Sequence, residues 1–222
     1  MSISAAATGR PHQRADAARN HQRLIDAAAE VFAARGLDAT LDDIARHAGV
    51  NVATAYRHFA NKHELAREFL SQCVGQAVAL AEQAAAEPDP WQGLTLFIEQ
   101  SLQMMTANRA LGDVLTHAYG AEHLAELLDR ITGPLEQLLA RGREAGAVRP
   151  DVAATDLAPI LEMLSAITGL SGPGLPGRYI ALILAGLRPG QEPLPGQPPT
   201  EEQARQVALR SKPKDSSPGG TR

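Results

Sequence analysis

The sequence predicts an all-α protein with a small N-terminal helical unit followed by a larger C-terminal one. Apolar residues make up 44 % of its 222 residues but aromatic ones only 4 %, and alanine and leucine outnumber valine and isoleucine. Alanine and leucine lose little on entering a helix, whereas strands draw on β-branched and aromatic side chains. The apolar positions also recur at three- and four-residue spacing between polar residues able to cap a helix.

Leu24, Ile25, Ala28, Val31 and Phe32 mark a first helix from about Ala17 to Gly36. Thr40 is an N-cap, and Asp43 completes a capping box in the way glutamate would. Ile44, Ala45 and Ala48 form the inner face of a short second helix that ends at Gly49, whose backbone freedom suits a tight turn. Asn51 caps a third helix of about two turns. Asn61, with Glu64 three residues on, caps a fourth, which keeps its spacing through Leu65, Phe69, Cys73, Val78 and Leu80 until "EPDP" breaks it.

Further helices follow in "DPWQGLTLFIEQSLQMMTAN", in the short "RALGDVLTHAYG" and in "AEHLAELLDRITGPLEQLLARGREAG", where Gly133 and Pro134 predict a kink or break. "VAATDLAPILEMLSAITGL" and, past the loop "SGPGLPG", "RYIALILAGLRPG" are two very apolar helices. The resulting division is a flexible arm over 1–16, a helix-turn-helix unit over 17–66, a helical unit over 67–190 and a flexible tail over 191–222. Within that tail Thr200 and Gln203 can cap a short terminal helix.

Net charge is −4, but the acidity lies in the middle of the chain. The first 70 residues are nearly balanced, and Arg10, Arg14, Arg19 and Arg23 face only Asp16, so an arm able to meet phosphates is expected. No run of about 18 apolar residues occurs and the N-terminus lacks an apolar signal core, which predicts a cytoplasmic protein with no membrane span. Cys73 is the lone cysteine; it is expected to be a buried small hydrophobe, and neither a metal site nor a cofactor is expected.

The second helix, glycine turn and capped third helix form a helix-turn-helix, which presents one helix to the major groove. Val50, Ala55 and Phe59 are expected to face inward. Val52, Ala53, Tyr56 and Arg57 fall on the other side. Small Ala53 lets the backbone approach base edges, Val52 offers a methyl surface for thymine, and Thr54, Tyr56 and His58 can hydrogen-bond to bases or phosphates. The helix amide ends at Thr40 and Lys62 are expected phosphate sites.

"ATLDDIARHAGVNVATAYRHFANKHEL" resembles the DNA-binding signature of TetR-type transcriptional regulators, from Thr40 through Ile44, Ala45, Ala48, Gly49 and Val50 to Thr54, Tyr56, Phe59, Lys62 and Leu65. The likeness covers roughly residues 20 to 70, and "RYIALILAGLRP" is similar to the last helix of one subgroup. Two positions depart from the pattern: Asn51 replaces the commoner serine or threonine and preserves the cap, and Ala55 stands where leucine is usual. The resemblance implies a homodimer on a double-stranded inverted-repeat operator, most often as a repressor, with C-terminal helices that pair the subunits and enclose a ligand pocket.

Leu157, Leu161, Leu164, Tyr179, Ile183 and Leu187 lie on helices too apolar for the surface and are the expected dimer contacts. Trp91, Phe97, Met104, Met105, His117, Tyr119 and Met163 are the candidate pocket residues for an apolar small-molecule effector. Each of these could equally be core, and adjacency leaves room for only one of Met104 and Met105 in a given cavity. No arginine cluster among them suggests a charged ligand. An enzyme is disfavoured, since no metal-binding, P-loop or nucleophile-elbow motif appears. A helical adaptor of the same fold, controlled by a protein partner, is the alternative.

Overall fold

The computed structural model describes residues 9–107, 129–168, 175–190 and 192–209. Among these every regular element is helical: α1 (Gly9–Arg35), a 3-10 turn (Gly36–Asp38), α2 (Leu41–His47), α3 (Val52–His58), α4 (Lys62–Ala86) and α5 (Pro90–Ala107). Then come α6, over residues 129–144, α7 (Ala154–Thr168), α8 (Leu175–Leu187) and α9 (Glu201–Leu209). The expected helix "RALGDVLTHAYG" and the start of the next lie outside the described residues.

Two compact units divide between Gly75 and Gln76, within α4. In the first, α1, α2 and α3 pack on one another around Leu24, Ile25, Phe32, Ile44, Ala55 and Phe59, and Leu65 of α4 joins the same core. Full burial of each large side chain here is worth about 1.5–3 kcal/mol. Ala55, where leucine is usual in the family pattern, is fully buried. Cys73 packs against this core, and burial pushes its thiol up to about 11, which leaves it protonated and unreactive.

In the second unit α7 packs against α5, α8 and α9, around Leu94, Ile98, Leu138, Leu139 and Leu157. Arg141 of α6 donates to the carbonyls of Ala85 (2.5 Å), Glu87 (2.6 Å) and Pro88 (2.9 Å). It therefore satisfies the open carboxyl end of α4 and the turn into α5. Gly93 permits the close approach of α5 there, since a Cβ would run into the Ala84 carbonyl.

Three boundaries differ from expectation. α1 starts at Gly9, not near Ala17: its first turns are polar, so apolar spacing cannot register them, and an Asp16–Arg19 pair links successive turns. α6 runs without a break through Gly133 and Pro134, held by buried Leu135, Leu138 and Leu139. α8 begins at Leu175, inside the expected loop, with Pro176 in its first turn, where a missing N–H removes no ladder bond.

Candidate nucleic-acid interface and effector cavity

α2 starts at a reciprocal cap. The Asp43 amide donates to Thr40 Oγ1 (3.2 Å), and the Thr40 amide and hydroxyl donate to Asp43 Oδ2 (3.1 and 2.6 Å). These Thr40 bonds, joined by Arg35 and Arg46, hold the Asp43 carboxyl below its ordinary value. The Thr40 amide, expected as a phosphate site, thus already serves a carboxylate of its own chain.

The turn that follows is fixed from outside the motif. Gly49 has φ +62°, and Arg23 of α1 donates from Nη2 to the carbonyls of Ala48 (2.5 Å) and Gly49 (3.4 Å). A guanidinium on the exposed carbonyls at the end of α2 suits the helix dipole. Asn51 Oδ1 accepts from the Ala53 amide at 2.9 Å and starts α3. At α4, Asn61 Oδ1 accepts from the amides of His63 and Glu64, while the Glu64 carboxylate accepts from the Ala60 amide. Lys62 opens α4 and is partly buried.

α3 thereby shows solvent a face of Ala53, Tyr56 and Arg57. Tyr56 is 52 % exposed; the neighbouring Asp42 carboxylate, which favours the protonated hydroxyl, raises it above the ordinary tyrosine value. Arg57 Nη2 donates to Thr54 Oγ1 at 2.7 Å, which orients the guanidinium along the helix.

Two expected base readers point elsewhere. Val52 is half-buried against the first core. His58 is turned toward α1: its ring lies 5.4 Å from that of His21, which stacks on Phe59 at 4.8 Å and bonds Glu68 of α4 at 2.6 Å. Burial, then His21 and Arg57, lowers the His58 pKa. Position at the end of α3 turns that side chain back over Phe59, an aromatic contact that spacing alone does not reveal.

The second unit contains an apolar cavity of about 200 Å³. Its walls are Ala77 of α4, Phe97, Ser101, Met104 and Met105 of α5, Ile131, Thr132 and Leu135 of α6, and Leu157, Ala158 and Leu161 of α7. Asp129, Ala154, Thr155, Glu201, Ala204 and Arg205 complete it. Phe97, Met104 and Met105 are thus together, and both methionines reach the space because long unbranched side chains span the angle between successive helical positions. Trp91 is elsewhere, its ring under the Arg188 guanidinium at 3.5 Å. Met163 is outside the cavity too, 55 % exposed. His117 and Tyr119 lie outside the described residues.

The expected dimer contacts are mostly turned inward. Leu157, Leu164 and Leu187 are buried in the second core, Leu161 lines the cavity and Ile183 is half-buried. The exposed large apolar side chains on α7 and α8 are Met163, Tyr179 and Leu182. Both helices are apolar nearly all round, so no polar face announces their rotation, and packing sets it.

An N-terminal helix-turn-helix followed by a larger helical unit defines a class of transcriptional regulators with a DNA-binding domain. Residues 24–69 match the family model described as bacterial regulatory proteins, tetR family, and residues 89–189 match that of the SbtR-like transcriptional regulator C-terminal domain. A TetR transcription regulatory protein from Mycobacterium vanbaalenii has 31 % sequence identity and a TM-score of 0.59, over 79 % of this chain and 99 % of that one. The chain belongs to the TetR family of transcriptional regulators, a family of regulators and not of enzymes.

Among curated proteins, the uncharacterized HTH-type transcriptional regulator TtgW of Pseudomonas putida is 52 % identical over 58 residues, 26 % of this chain and 43 % of its own length. The HTH-type transcriptional regulator TcmR of Streptomyces glaucescens is 31 % identical over 129 residues, 57 % of this chain and 55 % of its own. The chain thus spans about half the length of these two relatives. No helix among the described residues is long and apolar enough to cross a membrane.

Proposed function

We propose that this TetR-family regulator is a ligand-responsive repressor that acts in the cytoplasm and binds an inverted-repeat operator as a homodimer. The observation that carries the reading is α3: a short helix fixed by the Asn51 cap at its start and by Arg23 at the turn before it, with Ala53, Tyr56 and Arg57 left to solvent. Ala53 admits the backbone to the groove and Arg57 supplies a fork for guanine or phosphate. Tyr56, Lys62 and the start of α4 meet the flanking phosphates.

Pairing of two copies through α7 and α8 covers Met163, Tyr179 and Leu182, a surface otherwise left to water. The cavity is the effector site, and its walls favour an apolar ligand. Repression is relieved only by the ligand's preference for the form off DNA: a hundredfold loss of operator affinity needs a hundredfold preference, about 2.7 kcal/mol. α4 carries Lys62 in one unit and Ala77 on the cavity of the other, so it is the element through which the two sites communicate.

The test is fluorescence anisotropy with DNA from immediately upstream of the protein's own gene, across a salt series, beside a Tyr56→Phe, Lys62→Ala double variant. The expected result is tight binding to one inverted repeat that weakens steeply with salt and is lost in the variant. Binding that ignores both sequence and variant would refute the operator reading.

A further inference from the structure

The residues after α8 lie beyond the stretch matched by the C-terminal family model, which ends at residue 189, and they supply a wall of the cavity that this match does not include. The segment is fastened at its start and at its helix. Arg149, almost fully buried, donates to the Glu192 carbonyl at 2.9 Å, and Asp151 Oδ2 accepts from the Leu194 amide at 2.6 Å. Thr200 and Gln203 cap α9 reciprocally, and α9 packs on α7 more extensively than α5 or α8 does. It is a fixed wall, and it shows the cavity Glu201, Ala204 and Arg205.

These side chains change the character of a space that is otherwise apolar. Among the described walls the charged side chains are Asp129, Glu201 and Arg205, two carboxylates against one cation. Arg205 is engaged by both, at 2.6 Å from Asp129 and 3.4 Å from Glu201. The carboxylates are 58 % and 69 % exposed, so they stand at the mouth of the cavity, where each can accept from a further donor. An anionic head finds no comparable seat. The start of α7, which lends Ala154 and Thr155 to the wall, is where helix amides would receive one. There the Ala154 amide donates to Glu136 Oε1 at 2.8 Å and the Ala153 amide to Asp156 Oδ2 at 2.9 Å, so carboxylates of the chain itself already serve it. Arg143 pairs with Glu136 at 3.5 Å and donates to the Val152 carbonyl at 2.8 Å, so it too is engaged.

We infer that α9 makes the cavity selective for lipophilic molecules that end in a single ammonium group, with the apolar body among the side chains of α5 and α7 and the ammonium at Asp129 and Glu201. This rests on the cavity being the effector site. An ammonium joins Arg205 between two carboxylates and balances their charge. A carboxylate head would be set against both of them, beside a guanidinium they already neutralise.

The probes are naphthylmethylammonium, naphthylmethanol and naphthoate, which share one fused-ring body and differ in the charge of its end. Their affinities are measured by isothermal titration calorimetry near neutral pH on the full-length protein and on Glu201→Gln, Ala158→Trp and Ser101→Trp, each first checked for its fold by circular dichroism. The ammonium is expected to bind about three- to fivefold tighter than the alcohol, the scale of one exposed ion pair, and the carboxylate weakest. That preference should fall below about twofold in Glu201→Gln, and also in the unaltered protein at about 1 M salt, where charges are screened. The two tryptophan variants, whose indoles fill the cavity, should bind none of the three. Equal affinities, a carboxylate that binds tightest, or an ammonium preference that survives Glu201→Gln or high salt overturns the selectivity; with binding still blocked by tryptophan, the cavity then stands as an effector site indifferent to the acidic rim. Failure of all three to bind, or binding that survives both tryptophan variants, overturns the cavity reading and the selectivity with it.

Discussion

Replacing Gly49 by alanine tests the clamp on the helix-turn-helix turn. At φ +62° a Cβ costs about 1–2 kcal/mol, and this one would stand 2.9 Å from Arg23 Nη2. The guanidinium is the far end of a flexible side chain, so it yields, and in yielding it loses its 2.5 Å bond to the Ala48 carbonyl. A charged donor on a partly exposed carbonyl contributes about 1 kcal/mol, and the two effects together destabilise the first unit by about 2–3 kcal/mol. For a urea slope of about 2 kcal/mol/M that lowers the midpoint by about 1 M or more.

Circular dichroism follows the loss, and Trp91, the sole tryptophan, reports the second unit by fluorescence and is expected to keep its midpoint. Arg23→Met alone should remove only the carbonyl bond. Because the alanine already ejects the guanidinium, the double variant should be about as stable as Gly49→Ala. Losses that add in full, or a Gly49→Ala cost below about 0.5 kcal/mol, would refute the clamp.

Thr40→Ala should destabilise the first unit by about 1 kcal/mol in the same unfolding assay, through the lost cap of α2, and should let the Asp43 carboxyl titrate at a higher pH in an NMR titration. Tyr56 should titrate above the ordinary 10.0, and Asp42→Asn should bring it down, as read by tyrosinate absorbance. Its sign is that of a raised group: the stability it contributes is full below pH 10 and is lost as pH rises through the folded value. The Arg149 guanidinium, then the Leu194 amide, depresses Asp151 from 3.8 to about 2. Its contribution is therefore full above about pH 4 and is lost as pH falls toward 2, and an NMR titration of its carboxyl carbon that gave an ordinary value would contradict the anchor at Leu194.

The residues that read correctly from the chain act over a few positions. Thr40 with Asp43, Asn51, and Thr200 with Gln203 satisfy helix amides two or three residues away, so their meaning is carried by local spacing. The inward set of the first unit, Ile44, Ala45, Ala55 and Phe59, is similarly legible, because short amphipathic helices have one apolar face and nowhere else to bury it.

Tertiary structure decided what depends on distant partners. Arg23 looks like one more charge of a basic arm, yet 25 residues on it closes the turn at Ala48. His58 belongs to α3 by position, but His21 and Phe59 draw its ring away from the exposed face. In α7 and α8, apolar on nearly every side, the sequence marks burial without direction, so Leu157 and Leu164 turn into the core while Met163 and Leu182 turn out. The segment after residue 190 has the composition of a tail, but Arg149, Asp151 and Asp129 draw it back over the cavity. Local hydrogen bonding and periodicity are written along the chain; the rotation of a wholly apolar helix, and the partner of a long charged side chain, are fixed only when the elements pack.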